Sequence, residues 1–133
     1  MWRSRLQDVP RITRNHSTGQ VYHIKTAATC KTANVVYVIQ CKRCGIQYVE
    51  ETGQEIHKRT ISHRSDIRLR KTAKKPVAAH FNVTDHTITD MQVILVDKTP
   101  TNDNALRKSR ESRWIPTHKT ESPHGLNLKV DRL

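Results

Sequence analysis

Two short apolar segments separated by a cysteine-containing loop are the feature that most restricts how this chain can fold. The first segment, residues 35–39, consists of β-branched and aromatic residues, which favour a buried strand. The second, residues 46–50, alternates between apolar and polar residues, as a half-buried strand does. Gly45 lies in the loop between them and permits the positive φ of a tight turn. The pattern therefore predicts a β-hairpin.

A helix is predicted directly after the hairpin. Thr52 and Glu55 stand three residues apart, as the two members of a capping box do, with Gly53 at the start of the helix. Four residues then recur at helical spacing, which predicts one buried stripe: Ile56, Thr60, His63 and Ile67. The basic outer face runs on toward Pro76, which ends this helix or starts the next one.

The elements that follow are shorter. Residues 77–81 predict a helical turn, residues 82–90 a loop, and residues 91–97 a third strand that is central in the sheet. Together with the hairpin and the flanking helices, they predict a single α/β (α+β) domain over residues 34–130. Its sheet is expected to be small, antiparallel and three-stranded.

The last helix is predicted to begin after a cap at Asn102 or Asp103. Its apolar members are Ala105, Leu106, Trp114 and Ile115, and its basic residues are predicted to be exposed: Arg107, Lys108, Arg110 and Arg113. Pro116 predicts a stop or a kink, because an interior proline costs a helix about 3 kcal/mol.

Length and composition leave room for one small domain. The chain has 133 residues, of which 35% are hydrophobic, well below the roughly 45–50% of ordinary soluble chains. Residues 1–33 show no sustained period and predict a poorly ordered basic N-terminal arm, with residues 21–24 as a candidate strand. No apolar run reaches the roughly 18 residues of a membrane span, and residues 1–30 lack the apolar core of a secretory signal. We therefore expect an intracellular, nuclear protein without a membrane partner.

Positive charge is concentrated in one block. The net charge is +12, and residues 58–75 contain eight Lys or Arg against one Asp. Such a block attracts polyanions, and neutralising phosphates releases counterions whatever the base sequence is. The pattern predicts contact with nucleic acid, and the alternative is a solubilising surface.

The order of these elements and of several polar residues resembles the GIY-YIG nuclease superfamily. The resemblance rests on Val35-Val36-Tyr37, Tyr48-Val49-Glu50, Arg59, His63, Glu111 and Asn127. The run from Asn34 to Val49, with its Cys-x-x-Cys-Gly loop, is similar more narrowly to the endonuclease domain of Penelope-like retroelements. The likeness covers roughly residues 30–130 and implies the fold, the activity and the DNA substrate of that group.

The resemblance implies a metal-dependent endonuclease that nicks DNA through one-step attack by water. Arg59 would hold the phosphate, since its planar fork matches that group. Glu111 would hold Mg²⁺ or Mn²⁺, because one carboxylate with several waters suits such an ion. Taken singly, Arg59 is more often a solvated helix residue, and Glu111 a residue that balances neighbouring arginines.

Hydroxyl, imidazole and amide groups complete the implied catalytic set. In the family a strand tyrosine is the favoured base, which gives that role to Tyr37 with His63 as its partner. Tyr48 offers a second hydroxyl for positioning or deprotonating water, and Asn127 would support the site through its amide. A tyrosine on a hairpin is otherwise usually a packing residue.

Cysteine and histidine pairs form a separate candidate site. Three cysteines in a chain without an export signal argue against a disulfide framework. Cys41-x2-Cys44 is a common half of a structural Zn²⁺ site, and His80-x5-His86 is a candidate for the other half, which the resemblance supports. Cys30 is a candidate substitute ligand. The alternative is a reduced cysteine pair with two solvated histidines.

Three departures from the family pattern bear on activity. The second family motif ends in Gly, whereas this chain has Glu50, whose bulk and negative charge would oppose phosphate binding. Val35 stands where many members have Gly, although the Penelope-like group tolerates Val. Pro116 would tilt the helix that carries Glu111. We therefore predict a nuclease fold with reduced or absent cleavage.

Two other functions remain open from the sequence. One is a nucleic-acid-binding module that keeps the nuclease fold and the zinc site but does not cut. The other is a zinc-stabilised protein-interaction domain. A P-loop, a dinucleotide-binding turn and a nucleophile elbow are missing, which disfavours kinases, dehydrogenases and serine hydrolases and predicts no small-molecule cofactor.

Overall fold

The computed structural model describes residues 12–14, 21–23, 30–118, 120–122 and 125–127. Strands β1 (Ile12–Arg14) and β2 (Val21–His23) pair in antiparallel fashion, and β2 falls within the candidate strand at residues 21–24. Most of the predicted N-terminal arm lies outside the described residues. Its disorder and the limits of the domain therefore stay predictions.

One antiparallel sheet lies at the centre of the described chain. β3 (Val35–Cys41) pairs with β4 (Gln47–Thr52) on one side and with β5 (Met91–Lys98) on the other. The hairpin is confirmed, and Gly45 has a φ of 80° in its turn. The prediction that residues 91–97 form the central strand is wrong, because the strand order is β4-β3-β5. β3 takes the central place because it is apolar on both faces, with six of its seven residues buried.

Helices cover both faces of this sheet. One face packs against α1 (Ile56–Arg68) and α2 (Pro76–Phe81). The other packs against α3 (Asn104–His118), whose Ile115 is fully buried. The predicted fold class, an α+β domain with a three-stranded antiparallel sheet flanked by helices, is confirmed. Within the described residues, no helix has both the length and the apolar character needed to span a bilayer.

The predicted buried stripe of α1 is confirmed by its buried residues: Ile56, Thr60, His63 and Ile67. The predicted capping box is wrong, because the N-cap is Glu55 and no side chain caps the helix. Thr52 instead ends β4, opposite Val35. Its Oγ1 accepts a hydrogen bond from the backbone N–H of Gln54 at 3.1 Å. Strand pairing therefore holds Thr52 away from the helix start.

The last helix begins where the sequence predicts and continues past the predicted stop. Asp103 caps it, since Asp103 Oδ1 accepts a hydrogen bond from the backbone N–H of Leu106 at 3.0 Å. Pro116 does not end the helix, which runs on to His118. Ala105, predicted as an apolar member, is exposed, and Arg107, predicted as exposed, is buried with 3% of its surface accessible.

Candidate active site

Sheet register brings two tyrosines and an acidic residue together. Tyr37 on β3 lies directly opposite Glu50 on β4, and Tyr48 lies two residues before Glu50 on the same side of that strand. Tyr37 donates a hydrogen bond to Glu50 Oε2, and Tyr48 donates to Glu50 Oε1 at 3.3 Å. Both phenols therefore converge on one carboxylate.

Helix α1 adds two further predicted site residues to the same carboxylate. Arg59 donates from Nε to Glu50 Oε2 at 3.0 Å and from Nη2 to Glu50 Oε1 at 2.9 Å. His63, one turn later, places Nε2 3.1 Å from Glu50 Oε2 and 2.8 Å from the Tyr37 hydroxyl oxygen. Four residues singled out in the sequence thus surround Glu50.

Burial and charge fix the protonation of this group. Burial on its own would raise the pKa of Glu50, but the hydrogen bond with His63 and the Arg59 charge outweigh it and lower that pKa to about 2. Burial raises the pKa of Tyr37 well above its usual value, and the Glu50 charge adds to the effect. At neutral pH, Glu50 is therefore ionised and the Tyr37 phenol keeps its proton.

A cleft of about 350 Å³ opens beside this cluster. Its lining is contributed by β4, α1, α3 and the chain near residue 127: Tyr48, Val49, Glu50, Glu51, Arg59, Lys108, Glu111 and Asn127. Arg59 and Glu111, far apart in the sequence, therefore face the same space. Tyr37 does not line the cleft and is fully buried.

Glu111 is oriented by the backbone of β4. Its Oε2 accepts a hydrogen bond from the backbone N–H of Glu51 at 2.9 Å, and only 6% of the residue surface is exposed. Burial raises the pKa of Glu111 to about 7, although the nearby Lys108 charge acts in the opposite direction. The carboxyl group therefore exchanges its proton near neutral pH unless a further cation is present.

Asn127 also lines the cleft and contacts the backbone of β4. Its Oδ1 accepts from the backbone N–H of Val49 at 2.8 Å, and its Nδ2 donates to the Val49 carbonyl at 2.8 Å. The side-chain amide thus pairs with the β4 backbone in the way that a neighbouring strand would, next to Tyr48 and Glu50. The predicted supporting role of Asn127 in the site stays a prediction.

Arg107 is a structural support that sequence reasoning missed. Its Nε donates to Glu51 Oε2 at 2.7 Å, and its Nη1 donates to the side-chain oxygens of Asn34 and Asn102 at 3.2 and 2.8 Å. A Cβ atom at Gly53 would lie 2.9 Å from Arg107 Nη2, so glycine gives the guanidinium room. The spacing of Arg107 one turn before Glu111 was the available signal, since both must then face β4.

The four predicted zinc ligands also converge. The ligand atoms of Cys41, Cys44, His80 and His86 all lie within 4.8 Å of one another. Cys44 Sγ is 3.5 Å from His80 Nε2. Ligand atoms around a tetrahedral Zn²⁺ are roughly 3.3–3.8 Å apart, given metal–ligand bonds of about 2.0–2.3 Å. The group therefore has the donor set and nearly the spacing of a structural metal site.

One buried nitrogen argues that this group holds a metal. His86 Nε2 is buried and has no hydrogen-bond partner among the described residues. The other ring nitrogen, Nδ1, lies 3.3 Å from the Thr84 carbonyl, to which it donates in the tautomer that leaves Nε2 unprotonated. Cys30 is outside the group of ligands and packs against the hydrophobic core instead.

A second depression of about 200 Å³ adjoins the cleft. The two spaces share Tyr48, Glu50 and Arg59 in their linings, so they adjoin at these residues. The second space is also lined by Lys74 and Lys75 from the basic block. The groove formed by these two adjoining spaces thus has Glu111 in the lining of one part and a cationic edge, Lys74 and Lys75, in the lining of the other.

Comparison with models of known protein families gives one assignment. Residues 33–127 match the GIY-YIG catalytic domain, which confirms the resemblance at the level of that superfamily. No curated protein and no solved structure matches the chain. The narrower likeness to Penelope-like elements stays a prediction. Because the match spans well over half of the chain and the sheet and helices agree with it, this protein belongs to the GIY-YIG catalytic-domain family, whose nuclease-type function implies a nucleic acid substrate.

Proposed function

We propose that this chain is a metal-dependent endonuclease domain that nicks DNA through one-step attack by water. The observation that carries the proposal is the shared cleft, which is lined by Arg59 from α1, Glu111 from α3 and Tyr48 from β4. Phosphodiester hydrolysis needs a cationic group on the phosphate and a hard oxygen ligand for a metal ion, and these two residues supply them.

Glu111 is the proposed ligand for Mg²⁺ or Mn²⁺. One of its oxygens is held by the Glu51 N–H, while the other accepts no hydrogen bond from the described residues. One fixed carboxylate beside an open cleft fits an ion that keeps most of its waters. When bound, such an ion supplies charge neutralisation at the phosphoryl and leaving oxygens.

The roles of the two tyrosines follow from their burial. Tyr48 borders the cleft, so we assign it the positioning and deprotonation of the attacking water. Tyr37, to which the family resemblance assigns the role of base, is fully buried and donates to Glu50, which disfavours that role. We propose instead that Tyr37 orients His63, whose Nε2 lies 2.8 Å away.

The Cys/His group is proposed to hold a structural Zn²⁺. Cys41 ends β3, Cys44 lies in the turn that follows, and His80 belongs to α2, so the ion would join the hairpin to that helix. The unpartnered His86 Nε2 supports this assignment. The predicted absence of a small-molecule cofactor stays a prediction.

Several wider features of the proposal rest on sequence. The basic block and the cationic edge at Lys74 and Lys75 support DNA as the nucleic acid. The likeness of residues 34–49 to Penelope-like endonucleases supports a retroelement origin, and a protein that acts on DNA in this way is proposed to be nuclear.

A second function is favoured by one observation. Glu50 places an ionised carboxylate among the residues that would bind the phosphate. Because this charge repels a phosphate, the chain could retain DNA binding without cleavage. A nucleic-acid-binding module with the nuclease fold and the zinc site is therefore the alternative.

Nicking of supercoiled plasmid separates the two functions. With Mg²⁺ or Mn²⁺, we expect slow nicking by the wild-type protein, faster nicking by Glu50→Gly, and a loss of about 100-fold or more in Glu50→Gly/Glu111→Ala. Glu55→Gln is the matched control, because it removes a carboxylate outside the cleft.

The outcomes discriminate clearly when folding is checked by thermal unfolding. DNA binding without cleavage in all variants would establish the non-cutting module. Cleavage that survives the loss of Glu111 would refute the proposed metal site. DNA binding that does not weaken as the salt concentration rises would instead favour the zinc-stabilised protein-interaction domain.

A further inference from the structure

The carboxylate of Glu50 makes contacts that resemble those of a bound anion. Arg59 donates to it through two nitrogens, at 3.0 and 2.9 Å, in the fork geometry by which guanidinium groups hold carboxylates and phosphates. The Tyr37 and Tyr48 hydroxyls also donate to it, and His63 Nε2 lies 3.1 Å from it. Four side chains from three elements thus supply donors to one negatively charged group.

The fold itself holds the Glu50 carboxylate among these donors. Glu50 is held in β4 opposite Tyr37, so its side chain is directed at the cluster by sheet register. Only 20% of its side chain and 26% of the Arg59 side chain are exposed. A free anion therefore reaches the Arg59 fork only if the Glu50 carboxylate leaves it.

We propose that Arg59, His63, Tyr37 and Tyr48 form an anion site that Glu50 occupies from within the same chain, and that this site accepts a phosphate group once the Glu50 carboxylate is removed. Glu50 is then an autoinhibitory substitute for a phosphate, rather than a neighbouring charge that only repels one. The identification of that phosphate with the DNA backbone rests on the proposed function, but the site itself does not.

The effect of a substitution at residue 50 on phosphate affinity should depend on whether it removes the charge, the bulk or both. Glycine removes both the charge and the bulk, so the fork becomes empty and accessible. Glutamine removes the charge and keeps most of the shape, so a phosphate must still displace it. We expect affinity for inorganic phosphate to increase in the order wild type, Glu50→Gln, Glu50→Gly.

Titration of the folded, zinc-loaded protein with inorganic phosphate, without divalent ions that support nicking, tests the proposal. Binding is followed by NMR shifts of the His63 ring. We expect at least about tenfold tighter binding by Glu50→Gly than by wild type, because an occupying charge is lost and a cationic fork is freed. The gain should vanish in Glu50→Gly/Arg59→Ala. Glu55→Gln removes the same charge outside the site and should bind as the wild type does.

Equal affinity of the wild type and Glu50→Gly would overturn the proposal, and so would a folded Glu50→Gly protein that binds no phosphate. If Glu50→Gly does not fold, Glu50→Gln decides the matter, because it must still bind more tightly than the wild type. The readout involves neither cleavage nor Mg²⁺. A protein that gains phosphate affinity but never nicks DNA would therefore leave this inference intact while the proposed endonuclease function failed.

Discussion

The two candidate sites of this protein differ in how their polar atoms are satisfied. In the cluster beside the cleft, the Arg59 fork and both tyrosine hydroxyls are hydrogen-bonded to Glu50. In the Cys/His group, His86 Nε2 is buried and lacks a hydrogen-bond partner among the described residues. Buried polar groups without partners are rare, so the second site points to an external ligand while the first has one of its own.

The contrast separates two kinds of site that a sequence motif alone does not distinguish. A set of donors already bound to an internal acceptor is stable without a ligand, and ligand binding must displace that acceptor. A buried nitrogen lone pair without a partner is costly, and a metal ion that binds it stabilises the fold. We therefore expect the metal group to govern stability and the cleft to respond mainly to changes at Glu50.

Removal of the metal should have the largest effect. We expect His86→Ala and chelator-treated wild type to lose stoichiometric zinc and on the order of 5 kcal/mol or more of unfolding free energy, since structural zinc contributes directly to folding. Zinc content and urea unfolding measure both quantities. Cys30→Ala is the control and should keep its zinc. Wild-type protein that keeps its unfolding free energy after the metal is removed would contradict this difference between the two sites.

The next effect concerns the support of the cleft. Arg107→Met should lower the unfolding free energy by about 3 kcal/mol, because it leaves the Glu51 carboxylate buried without its shortest partner. The exposed Arg113→Met on the same helix should change it by less than about 0.5 kcal/mol. Urea unfolding compares the two, and similar values for both variants would mean that Arg107 does not position α3.

A pH series should reveal opposite signs at the two cleft carboxylates. Glu50, with a pKa lowered to about 2, adds stability that is present above its ordinary pKa of 4.5 and is lost as pH falls from there toward 2. Glu50→Gln should therefore cost roughly 1–3 kcal/mol at neutral pH and progressively less in acid.

Glu111 should behave in the reverse way. Its pKa is raised to about 7, so its contribution is complete below 4.5 and is lost as pH rises through 7. Glu111→Gln should become more stable relative to wild type above pH 7, when no magnesium is present. Thermal unfolding between pH 2 and 9 checks both curves, and parallel curves for the two variants would contradict the electrostatic account.

The smallest effect is expected at the cationic edge. Lys74 lines the groove, is exposed, and forms no ion pair within the described residues. Lys74→Ala should weaken DNA binding modestly and lower the salt dependence by about one released ion. Lys98→Ala removes an exposed lysine outside the groove and should leave the slope unchanged. An equal salt dependence of DNA binding in both variants would mean that DNA does not contact the groove at Lys74.

Local patterns were sufficient to predict much of the fold. The hairpin, its Gly45 turn and the buried stripe of α1 depend on short-range periodicity, which the sequence contains in full. The order of the strands depends on which one is covered on both faces, and this requires knowing where α3 packs. The capping-box prediction was wrong because it too depends on a contact between distant residues. The pairing of Thr52 with Val35 decides the position of Thr52.

The sequence allowed the residues of the candidate site to be selected, but not their burial or their contacts to be predicted. The family pattern selected Arg59, His63 and Glu111, and sheet register and helix packing bring them to one cluster and cleft. Burial could not be predicted for Arg107, because an arginine on a helix is usually exposed. The sequence likewise marked Glu50 as a repulsive charge but could not show that four side chains bind it.

The central claim is that a metal ion on Glu111 and a phosphate on Arg59 would share one cleft. Titration with Mn²⁺ tests it directly, because the paramagnetic ion broadens NMR signals only of nearby groups. We predict broadening of the Arg59 Nε–H signal in the wild-type protein and loss of that broadening in Glu111→Ala. An Arg59 signal that Mn²⁺ leaves sharp in the folded wild-type protein would contradict the account.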